Sequence, residues 1–76
     1  MTAQTQLTAD EITTIHHSHA VLGDTYSRLA SRYNVSESTI GRHVRRIEEE
    51  IEAQTIHGVD RSEARRRAYE GVERRE

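Results

Sequence analysis

The stretch from Leu29 to Val44, LASRYNVSESTIGRHV, decides the fold. Tyr26, Leu29, Ala30 and Tyr33 recur at helical spacing, which predicts a short helix from about Thr25 to Tyr33 with Arg28 and Arg32 off its apolar face. Asn34 then interrupts the pattern, and Asn tolerates the left-handed backbone better than most non-glycine residues. Val35 follows as a buried plug, and Ser36 is a strong N-cap for a helix opening at Glu37. In that helix Ile40, Val44, Ile47 and Ile51 form one narrow apolar stripe, the clearest period in the chain. Two helices crossing steeply over so short a turn need a small residue where they meet, and Ala30 supplies it.

Working outward, nothing stops the long helix before His57-Gly58, and Gly58 reads as its C-terminal stop. Asp60-Arg-Ser-Glu63 looks like a further cap, opening a last helix to about Glu73 with a thin stripe of Ala64, Ala68, Gly71 and Val72. Upstream, Thr8-Ala-Asp-Glu11 reads as a capping box for a helix from about Ala9 to His17, with Ile12 and Ile15 facing inward. Ala20, Val21 and Leu22 extend the apolar material, and Gly23-Asp24 breaks the chain before Asp24 or Thr25 caps the next helix. Residues 1–7 are polar and aperiodic, and a disordered lead is expected there. The fold class is therefore all-α: three helices with a long third one, then a C-terminal helix.

Composition narrows the function. The 76 residues make one domain at most, and a core this small is only marginally stable alone. With no cysteine, a disulfide scaffold and a Cys-based zinc site are excluded. No apolar run approaches the roughly 18 residues of a membrane span, and the first residues lack the pattern of a signal peptide, so a cytoplasmic location is expected. All 11 basic residues are arginine, which can make planar bidentate contacts to phosphate and guanine. A net charge of −2 argues against a polyanionic partner, but its distribution reverses the argument. Arg28, Arg32, Arg42, Arg45 and Arg46 face only Glu37 in their segment, whereas Glu48, Glu49, Glu50 and Glu52 follow with no base among them. A phosphate backbone senses that local positive patch.

Residues 29–44 resemble the helix-turn-helix of the resolvase, invertase and transposase type, a homeodomain-like three-helix fold. Leu29-Ala30 stands for its apolar-then-small pair, Asn34-Val35-Ser36 for its Gly-Val-Ser turn, and Ser38-Thr39-Ile40 with Arg42 for its Ser-Thr-apolar-x-Arg pattern. Leu7-Thr8-x-x-Glu11-Ile12 resembles that family's first helix. Asn34 in place of Gly is the departure. The resemblance covers residues 7–47 and implies a DNA-binding domain over 8–47, with 48–76 as a helical extension that either oligomerises or folds back as a hairpin.

The expected partner is double-stranded DNA. With Ile40 set inward and about 100° per residue, Ser38, Thr39, Arg42, Arg45 and Arg46 fall between about 140° and 260°, the outward face of the third helix. Arg42 is the leading candidate for a guanine contact, worth roughly 1–3 kcal/mol of discrimination if bidentate. Ser36, Ser38 and Thr39 are candidates for bases or phosphates, and Thr25, Tyr26, Arg28 and Arg32 for backbone phosphates. Contact should end near Arg46, because Glu49 lies on the same face one turn on. Gly41 either admits a close neighbour or is incidental.

Other residues carry blander readings. His16, His17 and His19, with His57, match no zinc motif and are expected to be surface or half-buried. Glu48-Glu49-Glu50 fan around a helix and read as a solvated face. No nucleophile and base are paired, and the core is too small for a pocket, so no enzyme activity, cofactor, metal or small-molecule substrate is expected. The Ile47–Ile51 stripe needs a cover, either the last helix of the same chain or a second copy; a homodimer is modestly favoured, because a single module binds DNA weakly. Arg65-Arg66-Arg67 either adds phosphate contacts or pairs with nearby glutamates. The leading expectation is a small transcriptional regulator of a phage or other mobile element. The alternatives are a DNA-packaging or recombination accessory protein with an oligomerising tail, and a protein-binding module without DNA.

Overall fold

Side-chain oxygens at Thr8, Thr25 and Ser36 set three of the helix starts. In the computed structural model, which describes residues 7–74, they precede α1 (Ala9–Ala20), α2 (Tyr26–Tyr33) and α3 (Glu37–Ile56); α4 (Arg61–Arg74) completes an all-α fold. The Thr8 hydroxyl accepts from Glu11 N–H at 3.1 Å while Glu11 accepts from Thr8 N–H at 2.9 Å, the reciprocal box expected from the sequence. Thr25, rather than Asp24, caps α2, accepting from Arg28 N–H at 3.0 Å. The turn between α3 and α4 falls at Gly58, whose φ of +91° suits glycine, and Gly58 N–H donates to Thr55 carbonyl at 2.9 Å.

The helices enclose two apolar clusters, and α3 contributes to both. One joins Ile15 of α1 with Leu29 and Ala30 of α2 and Ile40 and Val44 of α3. The other joins Ile47 and Ile51 of α3 with Ala9 of α1 and Ala64, Ala68 and Val72 of α4. Burying each isoleucine contributes roughly 1.5–3 kcal/mol. The alanines of α4 explain its close approach, since small side chains let the helix backbone sit low over the stripe.

Several expectations change here. The stripe is covered within the chain: Ile47 is 2% and Ile51 0% exposed beneath α4. That replaces the expected homodimer surface with the hairpin alternative. Helix α1 runs on to Ala20 rather than ending near His17, and its last carbonyls are met as Val21 N–H donates to the His17 carbonyl and Leu22 N–H to that of Ser18. Val21 and Leu22 then project outward instead of extending the core. The expected disordered lead, 1–7, lies outside the described residues except for Leu7, which packs on the first cluster. Among the described residues no helix is long and apolar enough to cross a membrane.

Candidate nucleic-acid interface

The turn between α2 and α3 is three residues, Asn34 to Ser36, and its geometry is set locally. Asn34 takes φ 59° and ψ 46°, the left-handed conformation the sequence calls for. Its neighbour Val35 donates its N–H to Ala30 carbonyl at 3.0 Å and turns its side chain onto the first cluster. Ser36 then accepts from Thr39 N–H at 3.1 Å and starts α3. Leu29, Ala30 and Ile40, all buried, hold the crossing from inside.

Gly41 answers the question its position raised. A Cβ there would lie 3.2 Å from Cε2 of the Tyr26 ring, so the absent side chain is what lets α2 seat against α3. The same ring is tilted against His19 at a centroid distance of 4.7 Å. Tyr26 is thus half-buried and fixed at the junction of α1, α2 and α3.

On the outer side of α3, Ser38, Arg42, Arg45 and Arg46 are exposed, with Thr39 half-buried. Tyr26, Glu37, Ser38, Gly41, Arg42 and Arg45 line one shallow cleft between α2 and α3. The hydroxyls of Ser36 and Thr39 lie 3.0 Å from each other as part of the helix cap, and Thr25 is engaged in the same way at α2. Thr25 and Ser36 thus serve first to start their helices; of the candidate serine and threonine hydroxyls, that of Ser38 alone makes no hydrogen bond among the described residues.

The arginines divide into two populations. Arg28 and Arg32 flank Asp24 at 3.6 and 3.5 Å, which partly neutralises the pair expected to meet phosphates. Asp24 sits four residues before Arg28, a helical ion-pair spacing present in the sequence but lost by counting charge only from Arg28 onward. On α4, Arg66 pairs with Glu63 and Glu70, Arg67 with Glu63 and Arg74 with Glu70. This is the second of the two readings for Arg66 and Arg67 but not for Arg65, which makes no ion pair among the described residues. Arg42, Arg45 and Arg46, by contrast, make no ion pair among the described residues. Their field is felt at His43, whose pKa is held down by burial and then by the charges of Arg42 and Arg46.

The acidic run is not uniformly solvated. Glu49 and Glu52 are exposed, but Glu48 is half-buried and accepts from Arg61 Nη2 at 2.9 Å. His16, expected at the surface or half-buried, is 0% exposed. Its Nε2 lies 2.5 Å from Glu48 and its Nδ1 2.7 Å from the Tyr69 hydroxyl. Both corrections have one cause: α4 folds back and brings Arg61 and Tyr69 over the α1–α3 seam. Glu48, one turn beyond Val44, is thereby turned toward α1 and α4. Comparison with protein-family models, curated proteins and solved structures finds no match to this chain.

Proposed function

We propose that this chain is a non-enzymatic, sequence-specific binder of double-stranded DNA, with the outer face of α3 in the major groove. The observation that carries the reading is the trio Arg42, Arg45 and Arg46, exposed on one helix face and without a carboxylate partner among the described residues, while six of the other described arginines are ion-paired. Three guanidinium groups on one face repel one another, and a polyanion relieves that repulsion. Arg42 and Ser38 sit in the first turns, where a recognition helix meets base edges, and Arg45 and Arg46 lie a turn further on, suited to phosphates. The role of a small transcriptional regulator, of a phage or other mobile element, rests on the resemblance of residues 29–44. Coverage of the Ile47–Ile51 stripe by α4 favours this reading over one in which the tail oligomerises.

Equilibrium binding to a mixed-sequence duplex over a salt series tests it. Replacing Arg42, Arg45 and Arg46 by alanine should flatten the plot of log affinity against log salt by roughly 0.9 per lost phosphate contact. The paired arginines Arg66 and Arg67, replaced in the same way, should change it little. Equal effects from the two sets, or retention of DNA by neither parent nor variants at low salt, would end the proposal.

A further inference from the structure

Glu37 is the one acid in the cleft that also holds Ser38, Arg42, Arg45 and Tyr26. It is exposed and forms no ion pair or side-chain hydrogen bond among the described residues. The fold itself keeps it free. The residue one helical turn on is Gly41, which offers no side chain to tie it down, and the ring of Tyr26 occupies the space above that glycine. A carboxylate among arginines that await phosphates weakens binding unless it accepts a hydrogen bond in the complex.

We infer that Glu37 is a specificity residue whose carboxylate accepts the exocyclic amino group of a cytosine in the major groove. The inference rests on the DNA-binding reading above and deepens it. Only two major-groove groups donate, cytosine N4 and adenine N6. Adenine places its N7 acceptor beside the amino group, where it repels a carboxylate, whereas cytosine places no acceptor of its own there. Cytosine is the better fit. The arrangement also suits Arg42, because the acceptors that a guanidinium reads bidentately belong to guanine, the partner of cytosine. Acceptor at Glu37 and donor fork at Arg42 together select a G·C-containing step.

A carboxylate in the first turn of α3 also favours the helix dipole, a role that affects stability but not base choice. Selection of duplexes from a random library with the full chain separates the two. The parent should enrich cytosine at one position, with discrimination on the order of tenfold. Glu37→Gln should move the preference at that position to adenine, since an amide matches adenine N6 and N7. Glu37→Ala should level that position, raising affinity at low salt for duplexes that lack cytosine there. The same base enriched by all three proteins, or no cytosine preference in the parent, overturns the inference and leaves DNA binding intact. A parent that retains no duplex at all overturns both, and melting curves of Glu37→Gln report the dipole contribution separately.

Discussion

His16 Nε2 lies 2.5 Å from Glu48 Oε2, and through its other nitrogen the same ring reaches Tyr69, so one buried imidazole joins α1, α3 and α4. With Glu48 ionised, Nε2 carries the proton and donates to the carboxylate, and Nδ1 accepts from the Tyr69 hydroxyl. Burial holds His16 below its ordinary pKa of 6.5, and its bond to Glu48 only partly opposes this. For Glu48, burial pushes upward, but the hydrogen bonds from Arg61 and His16 together leave its pKa below the ordinary 4.5.

These directions fix a pH dependence. Below the ordinary histidine pKa the unfolded chain binds a proton more readily than folded His16 does, so stability falls as pH drops through about 6.5. His43 acts in the same direction, and Glu48 adds to the loss further down, as pH falls below its ordinary value. Thermal melts near neutrality and near pH 5.5 should show the lower midpoint at acid pH. His16→Ala should destabilise by roughly 2–4 kcal/mol, leaving Glu48 and Tyr69 without their shared partner, and should flatten the profile without abolishing it. A midpoint that rises on acidification contradicts the assignment.

Asn34 occupies a left-handed position that glycine would adopt at lower cost. Asn34→Gly should leave stability unchanged or raise it by several tenths of a kcal/mol. Asn34→Val should lower it by about 1–2 kcal/mol, because a β-branched side chain is strained there. Urea titrations of the two variants measure both effects, and equal midpoints would show that the turn tolerates any residue.

Gly41 is constrained by a neighbour rather than by its own backbone. Gly41→Leu should displace the Tyr26 ring and cost about 1–3 kcal/mol through overpacking. The tyrosine ring resonances, followed by NMR, should move in Gly41→Ala even though alanine favours the helix. Unmoved resonances would mean that the contact is not kept in solution.

Asp24 draws on Arg28 and Arg32, so Asp24→Asn releases both for phosphates. If DNA is the ligand, affinity for mixed-sequence duplexes should rise several-fold at low salt, with a steeper salt dependence. Unchanged affinity would remove α2 from the interface.

Ile51 is fully buried under α4, and Ile51→Ala should cost about 2–5 kcal/mol. Ala68→Asp places a charge in the same seam and should detach α4, exposing the stripe and promoting self-association visible by light scattering. A monomeric, equally stable Ala68→Asp protein would contradict the intrachain cover.

What the sequence made legible was local. The caps at Thr8 and Ser36 and the left-handed Asn34 depend on a few neighbouring residues, and the outward set on α3 follows from helical period alone. Gly41 was legible as a question, but its answer needed the position of Tyr26. His16 and Glu48 were misjudged because their burial depends on Arg61 and Tyr69, far along the chain, and no local pattern encodes that return. The cover of the Ile47–Ile51 stripe was open for the same reason: the preference for a second copy came from the weak DNA affinity of a single module, whereas Ala64, Ala68 and Val72 of the same chain lie against the stripe. The end of α1 near His17 fell one turn short, since the helix continues to Ala20 before the positive-φ Gly23.

Helices α1 and α3 each contribute to both apolar clusters, so loosening one cluster weakens the walls of the other. Heat or denaturant should therefore take the chain apart in a single concerted step, with the tail and the turn reporting the same midpoint. Substitutions deep in the seam of α4, at Ala64 or Ala68, would then dilute the population able to present the arginine face.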